Sequence, residues 1–188
     1  MQPGCTCVQR PLSSNTPADV VWENTLLRSP TFRRAHVETF MKPDKVGVLH
    51  VCVFPHWDDL APIFGFDLVA GPARVTGIFL DLSPVLPSRP QLTLRDAVGS
   101  AALQAFATRR ALPEWADIFS EDMVAIRPVS GEEIDRALAL AEQALDVLLA
   151  TVRVTTGQVV DAIAAGQARY CAGQRQNEHT VRMLTNFI

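Results

Sequence analysis

The sequence has 188 residues, which is enough for one domain with a substantial hydrophobic core. A hydrophobic fraction of 48% and a charged fraction of 20% are typical of a globular protein and exclude a disordered chain. A formal net charge of −3 argues against nucleic acid or an anionic membrane as the main partner. No apolar run reaches the roughly 18 residues of a transmembrane helix, and residues 1–18 lack the features of a signal peptide.

Residues 1–18 are rich in Pro and Ser, and we interpret them as a flexible leader that precedes a single domain over residues 19–188. The leader contains Cys5 and Cys7, whose C-x-C spacing can bind a metal. No second Cys or His pair lies nearby, so we predict no metal site. Cys52 lies in an apolar run and is predicted to be a small core residue. This cysteine usage is typical of a reducing cytoplasm, where we expect the protein to be located.

Five segments of the first half have the apolar or alternating pattern of strands. The alternation is strictest over residues 31–41, which place His36 and Glu38 on one face, although a short helix capped at Ser29 is compatible with the same segment. Short turns join several of these segments, so the strands are predicted to be antiparallel. The predicted strands cover residues 19–27, 31–41, 46–54, 63–69 and 74–82, with turns at residues 43–45 and 70–73.

The second half changes to a helical period. Thr93 with Asp96, and Ser130 with Glu133, have the spacing of capping boxes, and each pair predicts the start of a helix. The helix after Ser130 carries an apolar stripe, which predicts one buried face. Strands that mostly precede helices indicate an antiparallel sheet covered by helices. The predicted elements are a helix over residues 93–107, a connection over 112–120, a sixth strand over 122–127, and helices over 130–152 and 159–174.

The hairpin connections predict which residues face one another across the sheet. In an antiparallel pair, the numbers of facing residues have a constant sum. If the loop of residues 55–62 joins its strands symmetrically, His50 faces Asp67. The turn at residues 43–45 likewise places Glu38 opposite His50. The three ionisable groups are then neighbours on one face, with facing Cβ atoms about 5 Å apart, and a slip of one residue would separate them.

A row of Glu38, His50 and Asp67 inside apolar strands has two interpretations. Buried ionisable groups are costly unless they share protons or meet a polar ligand, and such coupled groups suit a general-acid site. Alternatively, His50 and Asp67 form a structural pair beneath a helix, with Glu38 solvated at an edge. A zinc site of His50, His56 and Asp58 is a weaker alternative, because these residues lack the i, i+4 spacing of helical ligands.

Four stretches of the chain, taken in order, resemble a known family. They are SPTFRRAHVETF, LHVCVFPHWDDLAPIFGFDLVAGPARVTGIFLDLSP, RRALPEWADIFSED and YCAGQRQNEHTVRMLTNF. Together they resemble the ferredoxin-dependent bilin reductases over most of residues 20–187. The resemblance implies a fold of the α/β (α+β) class, a three-layer α/β/α sandwich whose central antiparallel sheet is flanked by helices. It also implies an open bilin pocket between the sheet and the helices.

The resemblance implies that the chain is an oxidoreductase that reduces biliverdin IXα. Single electrons come from reduced ferredoxin, bilin radicals are the intermediates, and the protein supplies the protons without a bound cofactor or metal. The family's catalytic Asp, His and proton-donating Glu fall on Asp67, His50 and Glu38, the residues that the hairpin register also brings together. The family's substrate-binding positions fall on His36, Thr76, Arg109, Arg110, Asn177, Glu178 and His179.

The C-terminal motif departs from the family pattern. The family's Asn-Asp-Lys-Thr reads Asn177-Glu178-His179-Thr180 here. A His in place of the propionate-pairing Lys is only partly charged at neutral pH, which weakens the expected grip on the substrate. Glu38 favours one product, because in the family a carboxylate at this position accompanies reduction of the outer vinyl group. We therefore expect four-electron reduction to phycocyanobilin.

Several alternatives stay open at this point. Phycoerythrobilin, phytochromobilin or a dihydrobiliverdin are alternative products, and a bilin carrier without turnover is an alternative function. An unrelated α+β domain with a structural His–Asp pair would bind no bilin. The implied partners are an acidic ferredoxin, a haem oxygenase upstream and a phytochrome downstream, and the expected oligomeric state is a monomer. The candidate contacts for ferredoxin are Arg33, Lys42, Lys45, Arg109 and Arg175.

Overall fold

The structure is a computed structural model, and it describes residues 6–9, 18–88, 90–151, 153–154 and 159–177. The strands in these ranges are β1 (Thr6–Gln9), β2 (Val21–Arg28), β3 (Arg34–Lys42), β4 (Val46–Phe54), β5 (Ile63–Ala70), β6 (Val75–Ser83) and β7 (Val124–Ile126). The helices are α1 (Leu94–Val98), α2 (Ser100–Leu103), α3 (Gly131–Ala150) and α4 (Val160–Gln174), and a 3-10 helix spans Glu114–Ile118.

The described strands form one sheet in which each strand pairs antiparallel with its neighbours in sequence, from β1 to β7. The predicted meander is therefore confirmed. The turn between β3 and β4 is tight because Asp44 adopts a φ of 56°, a left-handed conformation that Asp tolerates better than most residues. β1 lies within the segment whose composition predicted a flexible leader, so the strand at Thr6–Gln9 corrects that prediction for these four residues. The other residues up to 17 lie outside the described ranges.

Alternate residues of the central strands enter two separate cores, one on each face of the sheet. Val53 and Phe64 pack with α1 and α3 on the first face. Their chain neighbours Cys52 and Ile63 pack on the second face, where α4 contributes Ile163 and Tyr170. The sheet is thus the middle of three layers, as predicted for the α+β sandwich, and Cys52 is the core residue that the sequence indicates.

The predicted helix over residues 93–107 is two short helices. Thr93 and Asp96 form the predicted capping box at the start of α1. Gly99 then adopts a φ of 84°, which ends α1, and α2 stops at Leu103. The helical period of the sequence continued across Gly99, but the backbone at that residue is not helical.

The start of α3 differs from the predicted capping box in one bond. The Ser130 hydroxyl accepts a hydrogen bond from the backbone N–H of Glu133 at 3.3 Å, as expected. The Glu133 carboxylate accepts from the backbone N–H groups of Ala107 and Val129, both at 2.9 Å. These two bonds hold the pKa of Glu133 below its usual range. Glu133 therefore ties α3 to the segment after α2 instead of closing the box.

α4 covers one half of the second face of the sheet. A Cβ placed on Gly166 would lie 1.7 Å from the carbonyl oxygen of Val85, so only a glycine permits this close approach. Gln167 is 1% exposed, and its Nε2 donates to the carbonyl oxygen of His56 at 3.2 Å while its Oε1 accepts from Arg33 at 2.8 Å. None of the described helices combines the length and hydrophobicity that crossing a bilayer requires.

We expect Gly166→Ala to lower the free energy of unfolding by about 1–3 kcal/mol, because the added methyl group overpacks the contact between α4 and Val85. The measurement is urea denaturation followed by circular dichroism. Gly131→Ala is the matched control, since a Cβ at this helical glycine meets no atom within 4 Å. Equal stability of the two variants would show that α4 does not sit this close to Val85.

Candidate active site

β3, β4 and β5 bring three ionisable side chains into one row. His50 of β4 pairs with Glu38 of β3 and with Asp67 of β5, so the predicted register is confirmed on both sides. The Nδ1–H of His50 donates a hydrogen bond to Oδ1 of Asp67 at 2.7 Å. The side chains of His50 and Asp67 are 27% and 37% exposed, because α4 covers the other half of this face. The row is therefore within reach of a ligand.

His50 is poised to carry a proton. Burial by itself would lower the pKa of His50, but the hydrogen bond to Asp67 and the charges of Asp67 and Glu38 outweigh burial and leave the pKa raised. A raised pKa keeps a larger fraction of the imidazole protonated near neutral pH. His50 can thus donate a proton to a group above the sheet and be reprotonated.

His36 lies beside His50 with the opposite tendency. The two ring centroids are 5.5 Å apart and the rings meet edge to face. Burial lowers the pKa of His36, Glu38 opposes this effect, and the positive charges of His50 and Arg34 add to it. Two neighbouring imidazoles whose environments move their pKa values apart are suited to different roles, one charged and one neutral.

Two residues of β2 that the sequence did not indicate contact Glu38 of this row and the adjacent His36. The Nε1–H of Trp22 donates to Oε1 of Glu38 at 2.5 Å. Nε2 of His36 and Oδ1 of Asn24 are 2.7 Å apart. The alternation of Trp22 and Asn24 in β2 was visible in the sequence. No short hairpin set the register of β2, because a five-residue connection between β2 and β3 turns back on itself at Ser29.

Arg110 is placed over the same face, at the side of the row beyond Asp67. Asp67 pairs with Phe79 of β6, and the guanidinium carbon of Arg110 lies 5.3 Å from the Phe79 ring centroid. Nη1 of Arg110 donates to the carbonyl oxygen of Thr76 at 3.2 Å. A Cβ on Gly77 would lie 2.7 Å from that nitrogen, so the guanidinium occupies the space that a side chain would fill.

The polar groups of Thr76 and Arg109, two predicted substrate-binding residues, are hydrogen bonded within the protein. Thr76 lies at a register shift between β5 and β6, and its hydroxyl donates to the carbonyl oxygen of Val69 at 3.1 Å. Arg109 precedes Arg110 in an extended segment that bridges to Ile126, so the two side chains point to opposite sides. Nη2 of Arg109 donates to the carbonyl oxygen of Leu103. Of the predicted arginine pair, Arg110 alone lies on the face of the row.

The C-terminal motif is described only in part. The backbone N–H of Asn177 donates to the carbonyl oxygen of Gln174 at 3.1 Å, just after the end of α4. Glu178 and His179, the other two substrate-binding predictions in this motif, lie outside the described residues.

A metal centre is not formed by the described residues. No group of three His, Cys, Asp or Glu side chains in the described part of the chain is arranged to hold a metal ion. In the zinc alternative of His50, His56 and Asp58, the aspartate instead pairs with Arg153. Cys5 lies outside the described ranges, as does the side chain of Cys7.

The predicted basic contacts do not form one patch. Arg33 directly precedes β3, whereas Lys42 ends it, about 30 Å away at 3.3 Å per residue, and Lys45 follows in the next turn. Lys42 also pairs with Asp19 at 3.3 Å. A cavity of about 290 Å³ lies on the opposite face, between the residues before β3 and the end of α3, and does not include the row. The site is thus an open, partly polar surface of the sheet.

The arrangement can deliver protons to a flat substrate that lies on the sheet. A carboxylate, a protonatable imidazole and a second carboxylate stand in line at hydrogen-bonding or cross-strand distances. Apolar side chains of the same strands, such as Val48 and Val69, flank them. Arg110 adds a cation at the β6 side, with donors suited to a carboxylate. Proton donors, an apolar surface and a cation together suit a planar ligand that carries acidic groups.

Comparison with known proteins gives a consistent result. Residues 8–188 match the family model of the ferredoxin-dependent bilin reductases. The chain is 33% identical over 166 residues to phycocyanobilin:ferredoxin oxidoreductase of Prochlorococcus marinus strain SARG, which covers 86% of this chain and 67% of that protein. The same enzyme of Prochlorococcus marinus strain MIT 9313 is 35% identical over 167 residues, covering 86% of this chain and 63% of that protein. This chain thus spans about two thirds of the length of these relatives.

The fold is also similar to a solved structure. Phytochromobilin synthase from tomato, crystallised in complex with biliverdin, superposes with a TM-score of 0.64 at 14% sequence identity, over 88% of this chain and 65% of that chain. At this identity the similarity supports the fold alone. The family match and the identity to curated relatives establish that this protein belongs to the ferredoxin-dependent bilin reductase family.

Proposed function

We propose that the protein reduces biliverdin IXα to phycocyanobilin with single electrons from reduced ferredoxin. The observation that carries this proposal is the row of Glu38, His50 and Asp67 on the uncovered half of the sheet, with Arg110 beside it. Biliverdin is a planar tetrapyrrole with two carboxylates, so the apolar sheet face suits its rings and Arg110 suits a propionate. Reduction to phycocyanobilin takes up four electrons and four protons, and each proton needs a donor near the ring that it enters.

The three ionisable residues have separate roles in this proposal. Asp67 donates a proton to the bilin after an electron arrives and, through its bond to Nδ1–H, keeps His50 oriented. His50, whose pKa is raised, resupplies the proton. Glu38 stands on the other side of His50 and serves the outer vinyl group. Bilin radicals are the intermediates, because the donor delivers one electron at a time.

The acidic electron donor docks at a basic corner formed by Arg28, Arg33 and Arg34. Burial and the charges of Arg34 and Arg28 lower the pKa of Arg33, and no carboxylate in the described ranges forms an ion pair with any of the three. The guanidinium carbon of Arg33 lies 3.8 Å from the ring centroid of Trp57, which is 48% exposed. Exposed Trp and Arg are common anchors of protein interfaces. Arg34 is two residues from His36 on the same face, about 7 Å along β3.

The wider setting follows from the substrate and the product. A haem oxygenase would supply biliverdin, and a phytochrome would take up the reduced bilin. The protein acts as a cytoplasmic monomer in this proposal. A bilin carrier without turnover is the competing function, since the C-terminal motif replaces the family's Lys with His179.

An anaerobic assay with biliverdin, reduced ferredoxin and product chromatography tests the proposed function. We expect the visible spectrum of biliverdin to change on binding and then to pass through a radical to phycocyanobilin. Binding without any product under any reductant would identify a carrier. A different reduced bilin would leave the reductase activity intact and correct the product. Absence of bilin binding would refute the proposal.

We expect Asp67→Asn to bind biliverdin and to stop after the first electron, because an amide cannot supply the proton. The rate of product formation should fall by at least about 100-fold, and electron paramagnetic resonance should detect a persistent radical. Asp44→Asn is the control, since Asp44 is exposed in the β3–β4 turn and Asn accepts its φ of 56°. Full turnover by the Asp67 variant would remove this residue from the proton path.

Glu38→Gln should stop the reaction at an intermediate whose outer vinyl group is intact. The reason is that glutamine keeps the shape of the side chain but has no carboxyl proton to transfer. Chromatography with mass spectrometry of the products measures the outcome, and Glu142→Gln on the exposed side of α3 is the control. An unchanged product from the Glu38 variant would contradict the assignment of Glu38 to the vinyl group.

Charge reversal at the basic corner should weaken only the reaction with ferredoxin. We expect Arg28→Glu to lower the ferredoxin-driven rate about tenfold at low salt and less at high salt, because screening removes the attraction. Biliverdin binding and reduction by a small chemical reductant should stay unchanged. Lys45→Glu, an equally exposed reversal at the far end of the sheet, should behave as the wild type. The opposite ranking of the two variants would move the docking surface to the β3–β4 turn.

A further inference from the structure

β2 contributes two side-chain hydrogen bonds to this face of the sheet, one to Glu38 of the row and one to the adjacent His36. Trp22 donates to Oε1 of Glu38 at 2.5 Å, and Asn24 contacts Nε2 of His36 through Oδ1 at 2.7 Å. Both residues lie on the face of the row, since Asn24 pairs with Glu38 and Trp22 pairs with Phe40. β2 thus supports Glu38 and His36 of β3 from the neighbouring position in the sheet.

Both bonds run diagonally across the β2–β3 pair in the same direction. Trp22 faces Phe40 but bonds Glu38, and Asn24 faces Glu38 but bonds His36. Diagonal neighbours are within reach of long side chains in an antiparallel pair. The Trp22 indole is held by the Phe40 ring, with centroids 5.9 Å apart and planes at 80°. Its N–H therefore has a defined direction.

The Trp22 bond determines which oxygen of Glu38 can carry a proton. An indole N–H is a donor only, so Oε1 of Glu38 must act as the acceptor. When Glu38 is protonated, this bond favours the proton on Oε2, because a carbonyl oxygen is a better acceptor than a carboxyl hydroxyl oxygen. Trp22 thereby directs the transferable proton to one oxygen, and loss of the N–H would allow the proton on either.

The Asn24 bond determines which nitrogen of His36 carries its proton. Oδ1 of Asn24 only accepts, so Nε2 of His36 must bear the hydrogen. Burial lowers the pKa of His36, with Glu38 opposing this effect and the charges of His50 and Arg34 adding to it. The neutral imidazole therefore has its lone pair on Nδ1. His50 has the reverse arrangement, because its Nδ1–H donates to Asp67.

We propose that Trp22 and Asn24 are positioning residues of the reaction. Trp22 places the proton of Glu38 on Oε2, and Asn24 holds His36 as the neutral Nε2–H tautomer. Trp22 contacts the proton donor Glu38, and Asn24 contacts His36, a predicted substrate-binding residue, so neither touches the reacting atoms. This inference rests on the proposed function for its effect on turnover, but the tautomer of His36 is a property of the protein alone.

The first test is nitrogen-15 NMR of His36 in the 188-residue protein without substrate. In the wild type we expect a protonated Nε2 and an unprotonated Nδ1. Asn24→Leu removes the acceptor and should reduce the Nε2–H tautomer from dominant to a mixture. Asn24→Asp keeps an acceptor oxygen and should keep Nε2 protonated. Glu23→Gln, exposed on the other face of β2, is the control.

The second test measures which bilin products Trp22→Phe forms over time. This variant keeps an aromatic ring beside Phe40 and removes the indole N–H. We expect reduction of the outer vinyl group to slow by about tenfold, a part of the 100-fold or more that a general acid contributes. The other reduction step should keep its rate, so the intermediate with an intact vinyl group should accumulate. A uniform loss in both steps would indicate a merely structural role and overturn the assignment of Trp22.

The outcomes separate this inference from the proposed function. If the wild type reduces no biliverdin, the proposed function fails while the tautomer measurement still decides the role of Asn24. A protonated Nδ1 in the wild type, or an unchanged tautomer in Asn24→Leu, would overturn the positioning role of Asn24. The wild-type measurement needs no variant, so poor folding of a variant cannot leave this part undecided.

Discussion

The register of β4 against β3 and β5 is the constraint on which the site depends, because successive residues of a strand point to opposite faces. A slip of one residue would turn the His50 imidazole toward the apolar core beneath α3. Two connections hold the register. One is the turn in which Asp44 takes a left-handed conformation, and the other is the loop whose Pro55 and His56 carbonyl oxygens accept hydrogen bonds from Gln167.

Polar side chains are buried on one half of the second face and partly exposed to solvent on the other. Under α4, Asp81 is 2% exposed and receives hydrogen bonds from the Ser83 hydroxyl and from the backbone N–H and hydroxyl of Ser120. Burial raises the pKa of Asp81 and these bonds oppose the rise, so the protein itself satisfies this carboxyl group. On the uncovered half, His50 and Asp67 keep contact with solvent. A bound substrate can hydrogen bond with these two side chains there. The position of α4, which packs closely against Val85 at Gly166, marks the boundary between the covered and the uncovered half.

Much of the fold and the centre of the candidate site could be predicted, because a short hairpin connection determines which residues of its two strands face one another. The pairing of His50 with Glu38 and Asp67 followed from two connections alone. Trp22 and Asn24 could not be placed, because the folded-back connection at Ser29 sets the register of β2. The arginine pair was predicted as a unit, but alternation in an extended segment sends its members to opposite sides. Helical periodicity did not indicate the break at Gly99, because the positive-φ backbone conformation of this residue, and not the pattern of side chains, ends α1.

Gly77 contributes to the candidate site because its lack of a side chain leaves space for the Arg110 guanidinium. The guanidinium of Arg110 lies against this glycine and beside Phe79, and a methyl group there would come within 2.7 Å of Nη1 and 3.0 Å of the Phe79 ring. The nearest atom is the flexible end of a side chain, so an alanine would displace the cation at little cost to folding. With the substrate-binding role proposed for Arg110, one uncharged methyl group at Gly77 would therefore change substrate affinity while every ionisable residue of the site is still present.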